Sequence, residues 1–102
     1  MKIIEKLSKQ IKEELQDSEK YIRCAMNYAA DNKELAEMYY TLACEEMAHS
    51  DKLHKAVVRE IEKFKATGKE VPPAMQAIWT WQHEQIIEDS TDIKVMLEMY
   101  KK

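Results

Sequence analysis

The chain has 102 residues, room for one domain and no more. A single glycine excludes Gly-rich phosphate loops, and a net charge of −3 exerts no general pull on nucleic acid or anionic membrane. No apolar run approaches the ~18 residues of a membrane span. The first residues turn charged too soon for a signal peptide, so a cytoplasmic, all-α, single-domain protein is expected over 1–102.

The spacing predicts a first helix over about 3–30, with Ile4, Leu7, Ile11, Leu15, Ile22, Met26 and Ala29 at steps of three, four and seven. A turn follows, in which Asp31 can cap the next helix and Glu34 stands as its reciprocal acid. The second helix is expected over about 33–65. Gly68 stops it, and Pro72-Pro73 give a rigid lead-in to a third over about 73–100. Cys24 and Cys44 are too few for a disulfide framework and read as reduced thiols in a helical core.

The short turn makes the first two helices an antiparallel hairpin, each arm spanning roughly 40 Å. A hairpin of that length pairs with a further one, from the third helix or from another subunit.

Two stripes on this hairpin are broken by polar residues. On the second helix the steps Leu35, Tyr39, Leu42, Glu46, His49, Leu53, Ala56 and Glu60 form a seam with Glu46 and His49 at its centre. Residues three apart share a helix face, so this carboxylate and imidazole can hold one ion. The spacing alone carries little in a chain so rich in glutamate; the register is what gives it weight, because a carboxylate in a bundle core costs several kcal/mol unless paired or bound to metal. On the first helix, Ile11, Leu15, Glu19, Ile22, Met26 and Ala29 place Glu19 in the apolar stripe. The midpoint of Glu19 and Glu46 falls at the turn, so the two are expected at one level, about 20 Å from it. The competing reading turns Glu19 outward and makes Glu46 a surface partner of His49 or Lys20. Glu14 and Glu45 lie nearer the stripe edges and are expected in solvent.

Glu19, Glu46 and His49 are too few ligands for two metals. Two chains supply four Glu and two His, the ligand set of di-iron and di-manganese carboxylate bundles. A two-fold homodimer forming a four-helix bundle is therefore expected, with metal on the dyad. Such ligands suit iron or manganese and admit zinc.

At these residues the sequence resembles the ferritin-like superfamily, its second helix being most similar to rubrerythrin through Ala36-Glu37, the triplet Met38-Tyr39-Tyr40, Ala43, Glu46-Met47-Ala48-His49 and Leu53. Glu19 followed by Tyr28 and Ala30 resembles that family's first ligand helix. The resemblance covers about residues 14–57. There is no second Glu-x-x-His, since His54 follows Asp51 and His83 follows Thr80 at that spacing. A half-length chain of this kind is similar to the encapsulated ferritins, which build a ferroxidase site between two subunits. The resemblance implies that Glu19, Glu46 and His49 are metal ligands, with Glu46 as the bridge. It implies a di-iron centre and oxidation of Fe(II) by dioxygen or peroxide, feeding iron storage or detoxification. The last residues, Leu97 to Lys102, do not resemble a tail that targets an encapsulin shell.

The third helix carries a seam of Trp79, His83, Ile86, Ser90, Ile93, Leu97 and Tyr100, with acidic flanks. It reads as an outer helix covering the bundle, or as one presenting His83 with Glu84 or Glu88 as an accessory metal site. Trp79 and Trp81 face opposite ways, so one of them is expected in solvent. Tyr28 and Tyr39 read as core packing or as one-electron relays near the centre. Two other readings stand beside the ferroxidase: a metal-free helical interaction protein, and a monomer whose third helix lends Glu84 or Glu88 to a mononuclear site.

Overall fold

A computed structural model describes residues 1–101, and all regular structure among them is helical. The elements are α1 (Lys2–Tyr28), α2 (Lys33–Ala66) and α3 (Pro73–Lys101), within two residues of the expected bounds. They form a rod of 57 × 19 × 17 Å.

The turn between α1 and α2 begins two residues earlier than the periodicity places it. Asn32, not Asp31, is the N-cap: its side-chain oxygen accepts from the Leu35 backbone N–H at 3.1 Å. Deeper in the hairpin, Ser18 Oγ donates to the Ala43 carbonyl oxygen at 2.8 Å, and both residues are fully buried.

The seam between α1 and α2 is made largely of small residues. On α1 the buried positions are Ile4, Ser8, Ile11, Leu15, Ser18, Ile22 and Ala25. On α2 they are Ala36, Ala43, Met47 and Ser50, one residue on from the stripe expected there. Alanine and serine let two helix backbones approach closely, so the bulkier Leu35, Tyr39, Leu42 and Leu53 are left half-buried on one flank of the hairpin. The expected stripe runs along one flank of the hairpin, where Tyr39 and Leu53 pack on the edge of the intramolecular core.

α2 ends where Thr67 and Gly68 turn back on Phe64 and Lys65; Gly68 has φ 80°, the left-handed backbone that closes many helices. α3 then runs closer to α1 than to α2, packing through the seam expected for it. Ile93 is buried against Ile11, Leu15 and Met47. Tyr100 stacks on Tyr40 at 4.9 Å and donates to Glu37 at 3.0 Å. Trp79 is buried and meets Phe64 edge-on, while Trp81 is 62% exposed, as the spacing of the pair requires.

Candidate metal centre

Because Ser18 lies level with Ala43, the partner of Glu46 across the hairpin is Glu14. The two carboxylates and His49 each present one ligand atom, and these atoms lie within 4.8 Å of one another. His49 Nδ1 is 3.5 Å from Glu14 Oε2 and 3.8 Å from Glu46 Oε2. Glu46 and His49 therefore stand together as their i, i+3 spacing anticipates.

Glu19 is not in this group. It lies on the other flank of the α1 seam, pairs with Arg23 at 3.5 Å, and lines a groove with Asp89 and Ile93 of α3. Two facts account for the exchange. With the turn two residues earlier, the Ser18–Ala43 register sets Glu46 level with Leu15, four residues before Glu19. Ser18 rather than Glu19 occupies the seam, so Glu14 and Glu19 flank it on opposite sides. Glu14, expected in solvent, is half-buried; the signal that could have found it is Ser18, a small hydroxyl residue three steps after Leu15 in the heptad.

Electrostatics make the group unusual. Glu14 Oε2 is shielded from water and accepts no hydrogen bond. A shielded carboxylate oxygen with a second carboxylate beside it is costly unless a positive charge meets it. His49 can supply that charge by protonation, and a metal cation would supply more of it. Two carboxylates and an imidazole are hard-to-borderline donors, the set that suits Fe(II), Mn(II) and Zn(II). The donors fit such an ion.

α3 contributes nothing to this group, since Glu19 faces α3 and Glu14 faces away from it. Glu84 and Glu88 are exposed and outside it. On the same flank as the acids, Tyr39 stacks between Tyr28 at 5.9 Å and Tyr21 at 6.2 Å. Tyr21 follows Glu14, and Tyr39 precedes Glu46, by seven residues, putting the tyrosine column about 10 Å along the hairpin from the acids. The two thiols are free; spacing from Ser18–Ala43 sets Cys24 and Cys44 at different levels.

No helix among the described residues is long and apolar enough to cross a membrane. A scan of protein-family models and searches of curated proteins and of solved structures find no match to this chain.

Proposed function

We propose that the chain is half of a carboxylate-bridged metal centre that oxidises Fe(II), completed when a second copy docks on the flank of the hairpin that carries the acids. The observation that carries this reading is the shielded, hydrogen-bond-free Glu14 Oε2 beside Glu46 and His49. One protomer offers two carboxylates and one imidazole; a two-fold copy doubles them to the four Glu and two His of dinuclear carboxylate bundles. The half-buried Leu35 and Leu42 on the same flank leave apolar surface that a protein neighbour would cover.

In this reading Glu14, Glu46 and His49 hold Fe(II), and a bound pair of ferrous ions supplies two electrons to a dioxygen or peroxide oxidant. The chain's own part is positional. The i, i+3 pair on α2 and the single carboxylate of α1 sit on rigid helices, which keeps the donors preorganised. Burial against a second copy excludes water.

The test is Fe(II) oxidation followed by absorbance, with metal content and mass measured by sedimentation. The expected result is oxidation by a dimer or larger assembly, lost in Glu46→Ala and His49→Ala while the helical signal persists. Full activity in both variants overturns it. A purified protein with no iron, manganese or zinc, and melting unchanged by Fe(II), supports the metal-free interaction protein instead; the exposed Ile78, Trp81, Val95 and Met99 of α3 favour that reading.

A further inference from the structure

Two of the chain's three histidines converge far from the acids. His54 of α2 and His83 of α3, 29 residues apart, bring Nε2 and Nδ1 to 3.2 Å, with ring centroids 5.2 Å apart and planes 23° from parallel. We propose that these two imidazoles form a second cation site, for a divalent ion of the zinc, nickel and copper group, which clips α3 to α2.

The distance itself is the first argument. Two nitrogens each about 2.05 Å from one ion and 3.2 Å from each other subtend an angle of about 100° at it, close to tetrahedral. The nitrogens thus already stand at the separation of two ligands on one tetrahedral ion. Before it binds, one ring donates N–H to the other; a shift of that proton to the outer nitrogen frees both lone pairs with no net proton released.

The surroundings supply a second argument. The pair lines a cavity of about 300 Å³ bounded by Ile4, Val57, Ile61 and Trp79, so a bound ion has space for water in its remaining positions. Glu84 lies in the same wall, and the Asp51 carboxylate one turn before His54 adds negative charge. Lys65 is the cation in the lining.

The α3 backbone runs closer to α1 than to α2, and α3 meets α2 through side chains such as Trp79 on Phe64 and Tyr100 on Tyr40. A clip across 29 residues closes a long loop of the unfolded chain, so an ion that binds only the folded form stabilises the α2–α3 packing.

The site is independent of the proposed centre, and the test separates them. Zn(II) is titrated by calorimetry into the full-length Glu46→Ala/His49→Ala chain, with melting followed in parallel. The expected result is about one Zn(II) per chain, lost in both His54→Gln and His83→Gln on that background. At free Zn(II) about 100 times Kd, the folded-to-unfolded ratio rises about a hundredfold, and either histidine variant abolishes that rise. Co(II) in place of Zn(II) gives a visible band that reports nitrogen ligation. No Zn(II) binding, or binding that survives in both histidine variants, overturns the proposal and leaves a hydrogen-bonded imidazole pair. Should the double-variant background fail to fold, the same histidine variants are read in the unaltered chain, where an unchanged Zn(II) stoichiometry overturns it. Equal Zn(II) uptake by the unaltered and double-variant chains would count against the acidic centre alone.

Discussion

Ser18 and Ala43 are joined by a buried side-chain hydrogen bond of 2.8 Å, and this bond sets the register that brings Glu14 level with Glu46. Replacing Ser18 by alanine removes the donor from a carbonyl that keeps its helical partner. Ser18→Ala is therefore expected to cost about 0.5–1.5 kcal/mol in urea unfolding. Ser18→Leu forces bulk into a seam of alanines and serines and costs about 1–3 kcal/mol, with loss of metal binding as the helices separate.

Glu14 and Glu19 lie five residues apart on opposite flanks of one seam, so alanine at each gives opposite results. Under the proposed function, Glu14→Ala abolishes ferrous oxidation and metal uptake, whereas Glu19→Ala retains both. Glu14→Gln also removes one of two adjacent carboxylates, raising metal-free stability by roughly 1 kcal/mol, or about 4–8 °C in Tm. Calorimetric melting of the metal-free variants checks it; a lower Tm in Glu14→Gln would mean that the acid is held by His49 alone.

His54 makes stability depend on pH in one direction. Burial first, then His83, lower its pKa from the ordinary 6.5, with Asp51 opposing. Between that lowered value and 6.5 the unfolded chain binds more protons, so metal-free stability falls as the solution is acidified through this window. His54→Gln flattens the slope. Urea midpoints measured from pH 7.5 down to about pH 5 test it, and a slope identical in the variant would assign the effect elsewhere.

The flank of the acids and the outer face of α3 are distinguished by charge insertion. If the proposed dimer forms on this flank, Leu42→Arg, half-buried beside the acids, is expected to dissociate it in sedimentation and to slow the proposed ferrous oxidation. Val95→Arg, on the exposed side of α3, leaves both unchanged. Dissociation by Val95→Arg alone would move the interface to α3.

Gly68 offers a purely conformational test. A Cβ there meets nothing within 4 Å, but φ is 80°. Gly68→Ala is expected to lower stability by about 1–2 kcal/mol through left-handed backbone strain alone.

Much was legible in the residues. The two long helices, the loop around Gly68, the α3 seam through Ile93 and the opposed tryptophans follow from period and turn chemistry, which are local properties. The pairing of Glu46 with His49 follows the same way, because i, i+3 neighbours share a helix face whatever surrounds them. Which acid of α1 joins them did not. Periodicity weighs bulk, and it assigned Leu35, Leu42 and Leu53 to the core while Ala36, Ala43, Ser18 and Ser50 took it. One residue of rotation and two of turn length exchanged Glu19 for Glu14, and neither is visible locally. Register belongs to how closely two backbones approach, so it emerged only when the helices met. The convergence of His54 and His83 across 29 residues is of the same kind: nothing near either residue specifies the other.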